Sequence, residues 1–189
     1  SVKSIESGAF GNCSGLTSIT IPGNVTYIGA SAFEGCTGIK SLTIPSSVET
    51  IDDYAFGACG FTSLSVPKTV TKIGKMAIDY VHNELYSLVK DDNFTVKCYK
   101  GTAAEKYAKD NGFKIVYLGV THVAAKAAAC TADGNIEYWK YDGKFYSDAN
   151  LTTEITQAKT VVKATGHKFS AWKTTAFDTD KNTSTQTRT

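Results

Sequence analysis

Arginine is nearly missing from this chain of 189 residues: Arg188 is the single one, and the formal net charge is only +2. Residues 1–119 carry 11 lysines against 11 acidic residues, and the remainder carries nine basic against seven acidic. Charge this even leaves no basic stripe to follow a phosphate backbone, so nucleic-acid binding is excluded as the main activity. Histidine is also scarce, with three in the chain. There is no Gly-x-Ser-x-Gly elbow, His-Glu-x-x-His pair, P-loop or Rossmann fingerprint, so no enzyme is expected. No apolar run approaches the length that crosses a bilayer, and membrane insertion is not expected. Neither an initiating Met nor a signal peptide opens the sequence, which fits a reading of the chain as a fragment of a longer protein. Proline is rare too, and Pro22, Pro45 and Pro67 are all there is. They fall at one place in a repeated phrase.

That phrase has a period of 23 residues. Ile5, Ile28 and Ile51 keep the step, as do Phe10, Phe33 and Phe56, and Cys13, Cys36 and Cys59. A fourth, partial copy arrives one residue early and places Pro67, Val70 and Ile73 beneath Pro45, Val48 and Ile51. A period in this range marks a solenoid, in which each coil buries its apolar side chains only by stacking on its neighbours. Leu16 to Ile21 ends in period-two alternation, so each coil should hold a short parallel strand with Ile19 and Ile21 inward and Ser18 and Thr20 outward. Proline then stops the ladder. Val25 with Ile28 and their copies form a second short apolar pair, followed by Ala32-Phe33 and Ala55-Phe56 to fill the space between walls.

The stretch Leu16 to Cys36, with proline, Ala-Phe and cysteine in their places, resembles the repeat of the BspA-like leucine-rich-repeat family. The resemblance covers residues 1 to about 80. It implies a leucine-rich-repeat solenoid with short parallel strands and irregular or short helical returns, from a mostly bacterial secreted or cell-surface protein. It further implies adhesion to host matrix proteins or to other microbial surface proteins.

The expected organisation is coils over 1–82, a C-terminal cap over 83–119, a small β-rich module over 120–166, and the truncated start of a further module or a linker over 167–189. In the cap, Tyr86 to Lys90 and Phe94 to Tyr99 read as strands around the turn Asp91-Asp92-Asn93. Thr102-Ala-Ala-Glu105 is a capping box that starts a helix near 102–111, and Gly112 stops it. Phe113 to Leu118 returns as a strand. Beyond Gly119, Asp142-Gly143 marks a hairpin between Ile136–Tyr141 and Lys144–Tyr146. Residues 122–167 resemble a short module found in tandem in bacterial surface proteins. Relatives carry a Cys-x-x-Cys pair after Tyr-Trp; here Lys140-Tyr141-Asp142-Gly143 stands in its place.

The repeated cysteines read as a column of small buried side chains, because a metal or redox column would need thiolates with His or Lys beside them. His122, Cys130 and His167 could offer zinc ligands, but without the cysteine pair no metal site is expected, and no cofactor. Asp52-Asp53 and Asp91-Asp92 read as solvated turn carboxylates. His82 reads as a loop residue.

Two surfaces are candidates for a partner. The outward strand face presents Ser18 and Thr20, Ser41 and Thr43, then Ser63 and Ser65, a ladder of small hydroxyls with no Trp, Tyr or Arg anchor. The hairpin offers Tyr138, Tyr141 and Tyr146 as an aromatic patch that a glycan could use, with Trp139 expected inside. The expected function is a non-enzymatic, extracellular protein-binding or adhesion segment. The alternatives are a structural spacer presenting another domain, or a carbohydrate-binding module acting through the 136–146 hairpin.

Overall fold

Phe10, Phe33 and Phe56 fix how the coils stack. In the computed structural model, which describes residues 2–82, 88–166, 173–178 and 183–187, their rings lie face to face at 5.2 and 5.5 Å. Phe33, Phe56, Ala32 and Ala55 are fully buried. The expectations for Tyr86 and His167 fall outside the described residues, as does Arg188.

The chain forms two compact units, Ser1–Gly119 and Val120–Thr189. The first contains β1 (Ser4–Ile5), β2 (Tyr27–Ile28), β3 (Thr50–Ile51), β4 (Ser63–Ser65), β5 (Lys72–Ile73), β6 (Tyr80–His82), β7 (Leu88–Lys90), β8 (Thr95–Cys98), α1 (Ala103–Asp110) and β9 (Lys114–Tyr117). β1, β2, β3 and β5 form one parallel sheet, with Ile5, Ile28, Ile51 and Ile73 in register. A second parallel sheet runs β4-β8-β9. β6 pairs antiparallel with β7, so His82 closes a strand and does not lie in a loop.

The parallel-strand solenoid is thus present, but the ladder that runs through all the coils is not where the alternation put it. The Val-x-x-Ile segment supplies it, while Leu16–Ile21 makes no ladder among the described residues and the next copy makes a single bridge, Thr43 to Ser65. Between coils, hydrogen bonds in the turns do the remaining work. The amides of Phe10, Phe33 and Phe56 donate to the carbonyls of Ala32, Ala55 and Ala77, each at 2.8 Å. Each coil also turns through left-handed residues at Gly8, Ser31, Tyr54 and Met76, a periodic feature that only the first copy marks with glycine.

The cap closes this ladder with a side chain. Ile78 holds the Phe position of the fourth coil, and its amide has no further coil to reach. It donates instead to the Tyr107 hydroxyl at 3.2 Å. Tyr107 is held by α1, whose N-cap Thr102 accepts from the Glu105 amide at 3.4 Å. Glu105 reaches back to the Gly101 amide, one residue before the cap. Burial opposes ionisation of Glu105, yet Lys109, the Tyr117 hydroxyl and the Gly101 amide outweigh it and hold its carboxyl below the usual range. Phe61, Phe94 and Phe113 continue the aromatic column into the cap by edge and tilted contacts.

The second unit holds β10 (Thr121–Val123), β11 (Gly134–Asn135), β12 (Tyr138–Tyr141), β13 (Lys144–Tyr146), β14 (Glu154–Ile155), α2 (Gln157–Thr160) and β15 (Val161–Val162). β10-β12-β13-β14 is an antiparallel sheet, and β11 pairs with β15. Asp142 and Gly143 both take positive φ, as a two-residue hairpin turn of this handedness requires. β16 (Lys173–Asp178) pairs antiparallel with β17 (Thr183–Thr187).

Candidate binding surfaces

Strand pairing decides which side chains share the outward face of the coils. Ser18, Thr20, Ser41, Thr43 and Ser65 are exposed, and Ser63 is half-buried. Ser63 lies opposite Thr95 in the β4–β8 ladder, which covers part of it. The six expected positions therefore form two rows on one side of the coil. Ser18 and Ser41 head the first row with Ser63, and Thr20 and Thr43 head the second with Ser65.

The rows do not stop where the repeat stops. Ser63 pairs with Thr95 and Thr95 with Lys114, while Ser65 pairs with Lys97 and Lys97 with Val116. By the same alternation, the proline row Pro22, Pro45, Pro67 continues into Tyr99 and Leu118. A groove of about 400 Å³ opens there, lined by Ile44, Val66, Pro67, Tyr99 and Leu118 with Lys68 at its side. Sequence reasoning missed these cap residues because the cap does not repeat the coil phrase.

The carboxylates of the coils lie elsewhere. Asp52 accepts from the Tyr27 hydroxyl at 2.7 Å, across two coils of the β1–β2–β3–β5 sheet. That bond holds the Asp52 carboxyl below its usual value and raises the Tyr27 phenol. Asp53 accepts from the Lys75 amide at 2.7 Å. The pair expected to be merely solvated thus braces neighbouring coils. Asp91 accepts from the Asn93 amide and shapes its turn.

The cysteine column is real, but it is not inert filler. The Cys36 thiol donates to the Phe10 carbonyl at 3.1 Å, and the Cys59 thiol to the Phe33 carbonyl at 3.2 Å. Burial pushes Cys59 up to about 12 and Cys98 up to about 11, so neither supplies a thiolate near neutrality. Cys13, the outermost member, is exposed.

The hairpin does not present its tyrosines as one patch. Tyr146 is buried at 4% exposure, packed at the centre of the β12-β13-β14 sheet, and is removed from the candidate surface. Tyr138 and Tyr141 are half-buried and, three residues apart on one strand, point to opposite faces. Tyr138 shares its face with Phe145 at 5.6 Å, not with Tyr141. Trp139, expected inside, is half-buried: it faces Tyr146 across β12–β13 and stacks on His122 at 4.8 Å. His122 also meets Glu137 through Nε2 at 2.8 Å, and Cys130 is exposed. Among the described residues no three His, Cys, Asp or Glu side chains are grouped to hold a metal ion.

A family model described as a BspA type leucine rich repeat region matches residues 1–96 in six copies, which is half of the chain. No curated protein matches it. Among solved structures, a leucine-rich repeat protein from Bacteroides ovatus is 27% identical over 51% of this chain, with a TM-score of 0.34. The match spans 35% of that protein's length.

Proposed function

Because the chain belongs to the BspA-type leucine-rich-repeat family, we propose that residues 1–119 bind another protein across the outward strand face, in an extracellular or cell-surface setting. The observation that carries this reading is the exposed hydroxyl face set against a sealed interior. The inner coils bury Val25, Ile28, Phe33, Val48, Ile51 and Phe56 completely, and repeat arrays of this kind use their extended outer faces for recognition. Proteins of this family are often surface proteins that engage other proteins, and no enzyme activity is proposed for this segment. Host matrix or microbial surface proteins are the partners proposed.

Immobilised matrix proteins and microbial surface fractions, presented to the full chain, test the reading. Saturable binding that Thr20→Arg with Thr43→Arg abolishes, without altering the thermal melt, is the expected result. Binding that these substitutions leave intact would move the site off the strand face. For a glycan, the hairpin has less to offer than its sequence implied, since Tyr138 and Tyr141 do not form one stacking platform.

A further inference from the structure

Three features of the molecule lie outside the reading above: the buried carboxylate of Asp79, the half-buried Tyr138–Phe145 face, and the cap end of the strand rows. The last carries an inference. We infer that the cap completes the docking face, and that its Lys97, Lys114, Tyr99, Val116 and Leu118 receive an extended acidic protein segment with an apolar side chain seated in the groove beside Lys68. This rests on the protein-binding reading and specifies its partner by charge.

Complementarity is the argument. None of the three outward rows, from Ser18, Thr20 and Pro22 through to Lys114, Val116 and Leu118, holds an Asp or a Glu. Lys97 and Lys114 are diagonal neighbours on β8 and β9, and neither forms an ion pair among the described residues, nor does Lys68. Lys114 makes one long hydrogen bond, to Asn93 at 3.3 Å. Asp92, whose field reaches Lys114, is already paired with Lys90 at 2.8 Å. The lysines of the cap helix, Lys106 and Lys109, are neutralised by Asp110 and Glu105. Uncompensated cations on one face, with the coil carboxylates Asp52 and Asp53 engaged in the opposite sheet, steer an acidic partner to that face.

Apolar area sits beside the charge. Val116 is 49% exposed, one of the most exposed large aliphatic side chains described. Tyr99 and Leu118 wall the groove with Pro67. The outward rows of the coils hold only hydroxyls and proline, so within those rows the cap supplies the aromatic and aliphatic anchors that dominate binding energy.

A glutamate–tyrosine copolymer, titrated into the full chain by fluorescence anisotropy, is the probe. Saturable binding that weakens with salt, falls about tenfold or more in Lys97→Glu with Lys114→Glu, and falls again in Val116→Asp is the expected result. The neutral pair Lys97→Gln with Lys114→Gln should lie between, which guards against misfolding in the reversed variant. Lys72→Glu with Lys75→Glu, in β5 of the other sheet and in the turn after it, should leave affinity unchanged. Equal losses in that control, no binding of the copolymer, or binding of heparin in its place would each overturn the inference. A matrix protein that binds the full chain and is indifferent to Lys97→Glu with Lys114→Glu would also overturn it, while leaving the protein-binding function standing. Silence toward every protein surface would instead remove that function.

Discussion

Tyr107 shows how much a single hydroxyl can decide at the end of a repeat. The Ile78 amide is buried, and each equivalent amide in the earlier coils has a carbonyl partner in the next coil. Tyr107→Phe leaves that donor unpaired and should cost about 1–3 kcal/mol, read from denaturant or thermal melts. A loss near zero would mean that the cap closes the stack by packing alone. Asp79 is the converse case. It is 4% exposed, one of its carboxylate oxygens has no hydrogen-bond partner among the described residues, and burial with Asp91 nearby lifts it from 3.8 to about 7. Its folded-state value is raised, so the unfolded chain ionises first as pH climbs. Stability should therefore be highest below about pH 4 with respect to this group and fall through to about pH 7, by at most about 4 kcal/mol. Asp79→Asn should raise the melting temperature at pH 8 and change it little at pH 4, and a gain of equal size at both would refute this. Neither residue was legible in sequence. Tyr107 lies in a helix that reads only as amphipathic, and Asp79 sits where earlier coils carry Glu34 and Gly57.

Elements that repeat were readable, and elements that adapt were not. The columns of Phe, Ile and Cys follow directly from the 23-residue step, and the helix start follows from Thr102 and Glu105. The alternation at Leu16–Ile21 gave the inward and outward faces correctly, yet the hydrogen-bonded ladder there forms only from Thr43 onward, toward the cap. Alternation reports which face is wet, and backbone pairing depends on how closely the coils approach. Spacing near glycine is part of this: a Cβ at Gly60 would lie 2.0 Å from the Thr37 carbonyl. The turn after Cys59 therefore needs glycine, as the turn after Cys36 does at Gly38, and Gly60→Ala should destabilise the third coil in a thermal melt. The stacked core makes the sharper prediction. Phe33→Ala should open a cavity between coils and cost about 3–5 kcal/mol, whereas Thr43→Ala on the exposed row should stay within about 0.5 kcal/mol. Equal shifts in the two melts would show that the faces are reversed.

At the scale of the first unit, the proposed binding function rests on coils and cap sharing one outward face. The sequence marks the coil part of that face by repetition and is silent about the cap part, because Thr95, Lys97, Lys114 and Val116 join it only through parallel pairing of β4, β8 and β9. The second unit has its own small core around Tyr146 and Leu151, and its aromatics divide between two faces of a sheet. The claim that the strand rows are the binding surface is tested most directly by amide hydrogen exchange on the full chain, free and bound to whichever immobilised matrix or microbial protein retains it. Protection on binding should concentrate in residues 41–44, 63–66, 95–99 and 114–118. Protection confined to the Tyr27, Thr50 and Lys72 sheet, or to residues beyond 119, would contradict the account.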